Sequence, residues 1–273
     1  MIAAREINGD DRLGPADRLK YLWLNLWRNL AGGGAPLKFH SWRPPSNIHL
    51  DIFSPSRCLT ESFIRHQLPL LQEHRDISVL DICCGSGRTS ALLAEAGYSG
   101  HYTGVDLDDR FTAEKWADGA FQTRFIQGDA HDLTDSGPFD LIFSISALEH
   151  IHDDTLLIAR FDDMLTPGGM QIHFLPAPAG LVVYLWHGYR QYSARAIAER
   201  FGASGTEVYR LGGLASFLLH LMVITGPEIF LSWSPRKIWP RWYAFKLGLC
   251  LRLDKWVPVL PVVHVVCRRK SKD

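Results

Sequence analysis

The alternation of apolar and polar positions changes character near residue 77. Before it, Leu19, Leu22, Trp23, Leu26, Trp27 and Leu30 recur at helical spacing, which predicts an amphipathic helix stopped at Gly32-Gly-Gly34. Its apolar stripe is expected to cover the core or a substrate lid; its two Trp with Lys20 and Arg28 offer a membrane-surface helix as the sharper reading. His40 to Pro55, with Pro44-Pro45, predicts an irregular segment on the approach to a ligand site. Residues 58–74 predict a helix that Pro69 kinks or interrupts. From Ile77 onward, short apolar runs and helical patterns alternate with little spare chain. The runs at 78–83, 101–106, 121–127, 139–144, 170–175, 206–211 and 262–267 predict seven strands. Helices are predicted at about 87–96, 109–118, 154–165 and 194–201, the last capped by Ser193. Such alternation predicts an α/β protein, a doubly wound and mostly parallel sheet with helices on both faces.

Domain organisation follows from the same pattern. Residues 1–76 read as an N-terminal helical segment or cap, and 77–273 as one α/β domain with a cap insertion at about 176–256. The formal net charge is zero, so no global electrostatic case exists for a nucleic-acid partner. The five cysteines are odd in number and contain no CxxC pair. That points to reduced thiols in a cytoplasmic setting, and away from a disulfide framework or a metal site. The start of the chain lacks the apolar stretch of a secretory signal.

The chemistry centres on Val79-Leu-Asp-Ile-Cys-Cys-Gly-Ser-Gly-Arg-Thr-Ser90, a predicted strand, tight turn and helix start. Gly85 and Gly87 allow close approach of a ligand, and the following helix offers free N–H groups to it. Ser90 stands where a dinucleotide fingerprint would place its third glycine. Asp81, inside the strand, suits a ligand that carries an ammonium group. Asp106 ends the second strand, nineteen residues after Gly87, where a carboxylate can accept from ribose hydroxyls. The turn alone also fits other nucleotide-binding βα units.

Together these residues resemble motif I and its neighbours in the class I S-adenosylmethionine-dependent methyltransferases, small-molecule type. Three further stretches extend the resemblance over residues 77–175: Gln127-Gly-Asp-Ala130, Ser144-Ile-Ser-Ala-Leu-Glu-His-Ile-His-Asp153 and Leu165-Thr-Pro-Gly-Gly169. Arg190-x-Tyr-Ser193 adds a weaker match. The resemblance implies a Rossmann-like methyltransferase fold with S-adenosyl-L-methionine as cofactor and S-adenosyl-L-homocysteine as product. It implies a cofactor set of Asp81, Cys83, Gly85, Ser86, Gly87, Asp106, Leu107, Asp129, Ala130 and Ser144. Within that set, Asp81 and the glycine turn take the methionine part, Asp106 the ribose, and Asp129 with the Ala130 N–H the adenine. Related quinone-biosynthesis methyltransferases have Glu three residues before the Glu-His pair, where this chain has Ser146, so no metal is implied.

His150, and after it His152, are candidates to take a proton from an acceptor hydroxyl, their ordinary pKa lying near 6.5. The competing role for His150 is packing below the cofactor. Tyr184, His187, Arg190 and Tyr192, in an aromatic stretch after the fifth strand, are candidate acceptor contacts. The chain has no Tyr-x-x-x-Lys, no Walker phosphate loop and no Asn/Asp-Pro-Pro-Tyr after its fourth strand, which leaves a small-molecule acceptor. The expected reaction is in-line O-methylation of a bulky, apolar or lipid-linked acceptor. The alternative is a non-catalytic cofactor-binding or membrane-associated assembly protein.

Residues 211–227 are strongly apolar and uncharged, and 236–255 carry six basic residues against Asp254 alone, among Trp233, Trp239, Trp242 and Trp256. A helical cap over the acceptor pocket explains this pattern. The sharper reading adds peripheral contact with the inner membrane surface.

Overall fold

The computed structural model describes residues 6–31, 35–46, 48, 50–111, 119–133 and 137–271. Its centre is an eight-stranded sheet in the order β1-β7-β8-β6-β5-β2-β3-β4. The strands are β1 Lys38–Ser41, β2 Asp76–Ile82, β3 Ser99–Asp106, β4 Phe121–Gln127, β5 Phe139–Ile145, β6 Leu165–Pro176, β7 Thr206–Leu211 and β8 Val263–Arg269. β8 runs antiparallel to β6 and β7, and every other neighbour pair is parallel.

Parallel strands buried on both faces carry apolar residues at consecutive positions, and alternate residues serve opposite faces. Val79, Leu141, Ile172 and Val265 join one core, shared with helices Pro55–His66 and Arg88–Glu95. Their neighbours Leu80, Ile142 and Val266 join the other, shared with helices Asp154–Met164 and Ala194–Phe201. Ser193 caps the last of these, its Oγ accepting from the Ala196 N–H at 3.3 Å. The helix predicted over 58–74 is broken at Gln67, with Leu68–Leu71 as a separate turn. The helix predicted at 109–118 lies mostly outside the described residues.

Two expectations are corrected. The seven predicted strands are present, but an eighth, β1, lies in the segment read as N-terminal cap and irregular approach. It pairs in parallel with β7, from Lys38 opposite Glu207 to Ser41 opposite Arg210. The second correction concerns helix Pro15–Ala31, which does form. Its Leu and Trp stripe does not pack on protein: Leu19, Trp23, Leu26, Trp27 and Leu30 are all exposed. The helix docks instead by Tyr21 and Asn25, which are buried. The Tyr21 hydroxyl donates to the His187 carbonyl at 2.8 Å, and Asn29 Nδ2 donates to Gln191 Oε1 at 3.2 Å. Specific hydrogen bonds therefore fix which face is inward, against the simple amphipathic reading.

The insertion folds as helix Leu214–Leu219, a wider π-helical stretch His220–Phe230, a short turn Pro235–Ile238 and helix Pro240–Leu253. Among the described residues, no helix is long and apolar enough to cross a membrane.

Candidate active site

The carboxyl edge of β2 carries the turn around which the site is built. Cys83, Gly85 and Gly87 all adopt positive φ, at 54°, 55° and 77°. Cys83 is the costly member, since only glycine enters this region without a Cβ penalty. A Cβ on Gly87 would lie 2.6 Å from the Phe125 ring, so the turn and β4 require a glycine there. A Cβ on Gly85 would meet nothing within 4 Å, so this backbone faces open space that a ligand can enter.

Asp106, at the end of β3, is tied to the turn. Its Oδ2 accepts from the Gly85 N–H at 2.8 Å and its Oδ1 from the Asp108 N–H at 3.1 Å. Each carboxylate oxygen has a second lone pair, so capacity remains for ligand hydroxyls. Next to it, Leu107 is an apolar side chain left exposed at the sheet edge, a surface that suits the flat face of a base. Asp129 is also exposed, and its Oδ1 accepts from the His131 N–H at 2.8 Å, which caps the turn holding Ala130.

Asp81 lies deeper than expected. It is 1% exposed, and it accepts hydrogen bonds from the hydroxyls of Tyr102 and Thr89. Burial is the main cause that pushes its pKa up to about 7, partly offset by those two donors. In this arrangement it braces the strand beneath the turn.

Beside the turn is a cavity of about 330 Å³. Arg88 and Thr89, at the start of the helix after Gly87, form one wall; Ile145 and Ser146, at the end of β5, form another. Ser146 also has positive φ, at 47°, so Cys83 and Ser146, at the ends of adjacent strands, both hold a backbone conformation unfavourable to their side chains. Arg57 and Glu61 enter from helix Pro55–His66, and Glu61 forms ion pairs with Arg57, Arg65 and Arg88 at 3.2–3.3 Å.

The unusual lining residue is Glu149. It is 0% exposed, and neither of its carboxylate oxygens has a hydrogen-bond partner. His187 Nε2 stands 3.7 Å from its Oε1, a charge contact longer than a hydrogen bond. Burial pulls the His187 pKa down, but Glu149 and Asp10 outweigh it and the net shift is upward. Tyr184 lines the same cavity, and burial raises its pKa to about 12.

Several expected site residues stand elsewhere. His150 does not line this cavity: its Nδ1 bonds Asp10 at 2.8 Å, and its ring packs edge-on against His187. His152 is exposed beside Asp153 and Tyr189. Ser144, expected at the cofactor, is fully buried and shares a 2.8 Å hydrogen bond with His173 inside the sheet. Arg190 and Tyr192, expected at the acceptor, converge on Asp154 instead. Arg190 is at 3.0 Å and the Tyr192 hydroxyl at 2.8 Å, and Arg200 contacts the same carboxylate at 2.7 Å. Arg190 also pairs with Glu6. The corrections at Arg190 and Tyr192 share one cause: a buried carboxylate needs partners, and Asp154 takes them. Asp10, His150 and His187 bring one ligand atom each within 4.8 Å of one another, but the cluster is held by its own bonds.

The sheet order, with one antiparallel strand between two parallel ones and a glycine turn at the carboxyl edge, already narrows the family. Comparison with known proteins narrows it further. A model of the "Methyltransferase domain" family matches residues 79–169. The trans-aconitate 2-methyltransferase of Deinococcus radiodurans is 35% identical over 108 residues, 40% of this chain and 41% of that one. Residues 79–169 carry a methyltransferase domain of the class I S-adenosylmethionine-dependent type.

S-adenosylmethionine is accordingly its cofactor, and the open cradle at Gly85 beside the Asp106 carboxylate fits such a ligand. The ubiquinone biosynthesis O-methyltransferase of Azorhizobium caulinodans is 32% identical over 111 residues, 39% of this chain and 43% of that one. The chain thus spans less than half the length of either curated relative. In fold, the chain is similar to the 4+2 cyclase SpnF, with a TM-score of 0.53 and 17% identity over 94% of this chain and 96% of that one.

The sequence reading missed Glu149 as a site residue, although it stands in the Glu-His pair that carried the resemblance. It also missed the Arg57–Glu61–Arg88 cluster. Arg57 and Glu61 are four apart on one helix, a visible pair, but no local signal brings Arg88 to them.

Proposed function

We propose that this methyltransferase transfers the methyl group of S-adenosylmethionine to a hydroxyl of a small acceptor held in the cavity beside the glycine turn. The cofactor supplies an activated methyl on a sulfonium, so the chain's own task is to bind, align and exclude water. The Cys83–Gly87 turn and Ser86 hold the methionine part, with Asp81 bracing the strand below. Asp106 takes the ribose, Leu107 covers the base, and Asp129 with the Ala130 N–H reads the adenine edge.

The observation that carries the acceptor assignment is Glu149, a buried carboxylate with no hydrogen-bond partner on the cavity wall. It replaces His150 as the group that accepts the hydroxyl proton, with His187 balancing its charge. Leu92, Tyr184 and Val263 give the acceptor an apolar seat. Arg57 and Arg88 both pair with Glu61 on the cavity wall, a lining that suits an anionic group on the methionine tail or on the acceptor. The acceptor is therefore an apolar molecule with one reacting hydroxyl, and the five free cysteines suit a cytoplasmic enzyme.

Incubation with methyl-labelled cofactor and a panel of hydroxylated aromatic and isoprenoid compounds tests this reading. A labelled O-methyl product is expected. Cofactor binding with no product from any hydroxylated compound or cell extract would favour a non-catalytic role.

A further inference from the structure

The outer surface of the cap is apolar and cationic at once. Along helix Pro240–Leu253, Tyr243, Leu247 and Leu251 recur every four residues and face inward. Trp242, Phe245, Leu249 and Leu253 form the opposite, outward face. Phe245 is 67% exposed, and Trp256, just beyond the helix, is 82% exposed. The stripe extends through rings in contact: Trp233 to Trp239 at 5.7 Å between centroids, and Trp239 to Trp242 at 6.5 Å. Single exposed apolar residues are ordinary, but a contiguous aromatic stripe marks an interaction surface.

The charges around it carry one sign. Lys237, Arg241, Arg252 and Lys255 are exposed, Lys246 is half-buried, and none of the five forms a salt bridge among the described residues. The acids nearby are spent on the protein itself. Asp254 is buried and accepts from the Ala215 and Ser216 N–H groups at 2.9 and 3.2 Å, holding the start of helix Leu214–Leu219. Glu228 pairs with Arg236 at 2.7 Å. The chain as a whole is neutral, so the positive face is a local device.

We propose that residues 230–256 dock on an anionic lipid bilayer. Trp242, Phe245, Leu249 and Trp256 enter the headgroup region, and Arg241, Arg252 and Lys255 lie against lipid phosphates. Large apolar side chains flanked by Lys and Arg are the composition of helices that lie in a membrane interface. A nucleic acid would leave the aliphatic part of the stripe unsatisfied. A second copy meeting the same face by a two-fold axis would set cations against cations. Since no described helix is long and apolar enough to cross, the contact is with the surface. The docking surface is independent of the acceptor's identity.

Co-sedimentation of the full chain with two kinds of vesicle tests it: phosphatidylcholine alone, and phosphatidylcholine mixed with phosphatidylglycerol. Strong binding to the mixed vesicles and weak binding to the neutral ones is expected. Reversal of Arg252 and Lys255 to Glu is expected to lower the mixed-vesicle partition at least tenfold, at roughly fivefold per lost cation. Phe245→Glu is expected to abolish it while leaving the circular dichroism and S-adenosylhomocysteine binding of the parent. No binding to either vesicle would overturn the proposal. So would self-association of the chain that Phe245→Glu dissolves.

Discussion

Glu149→Gln is expected to lower kcat by about 10²–10⁴-fold, the usual range for loss of a positioned proton acceptor. Affinity for S-adenosylhomocysteine should stay at the parent value, because Glu149 lies on the acceptor cavity and not on the Cys83–Gly87 turn. Stability should hold or rise. The wild-type carboxylate makes no hydrogen bond that the amide would lose, and removal of a buried charge met only by the 3.7 Å His187 contact relieves a desolvation cost. This combination separates a proton acceptor from a merely structural group, whose loss would lower the melting temperature and the cofactor affinity together. Steady-state kinetics beside calorimetry on the same preparation reads both quantities. A Gln variant with wild-type kcat would return the role of base to another group or to solvent.

The second large effect is loss of stability in mild acid. Burial depresses His173 to about 3 and both His220 and His264 to about 4, against an ordinary value of 6.5. Each depressed histidine stays neutral in the fold and takes up a proton once unfolded. Its contribution is complete above pH 6.5, falls as the pH drops below that value, and is gone below the folded pKa. Asp81 acts in the opposite sense: burial raises it to about 7, so the fold holds its proton first and gains stability as the pH drops. The raised Asp254 and His187 act in the sense of Asp81 and the lowered Glu207 and Glu228 in that of the three histidines, whose rings are the most strongly shifted of the groups that take up protons on unfolding. Scanning calorimetry from pH 7 downward should therefore show a steep fall in melting temperature. His173→Gln is expected to flatten that fall by about one proton. A melting temperature that is level from pH 7 to 4.5 would contradict the burial of these rings.

The core of the fold was legible in the sequence because its signals are local. The turn at Gly85 and Gly87, the strand-end Asp106 and the run of β2 to β6 depend on residues close in sequence, and they lie where the pattern puts them. What was hidden depends on distant partners. Lys38–Ser41 has four residues, alternates weakly and pairs on one edge only, so nothing in it announces a strand without β7. The Leu and Trp stripe of helix Pro15–Ala31 revealed an amphipathic helix but not which face is covered. The choice was made by the hydrogen bonds of Tyr21 and Asn29 to residues more than 160 positions away. Among Tyr184, His187, Arg190 and Tyr192, composition offers no way to sort cavity from core. Asp154, some forty residues earlier, draws the last two inward. Glu149 was hidden for a further reason, since its distinction is the lack of a hydrogen-bond partner, which no sequence displays.

The most direct test of the whole account is calorimetric titration of the chain and its Asp106→Ala variant with S-adenosylhomocysteine. Single-site binding to the wild type is expected, weakened at least about tenfold in the variant by the loss of charge-assisted hydrogen bonds to the ribose and to the Gly85 N–H. No binding to the wild type, or equal binding to both proteins, would contradict it.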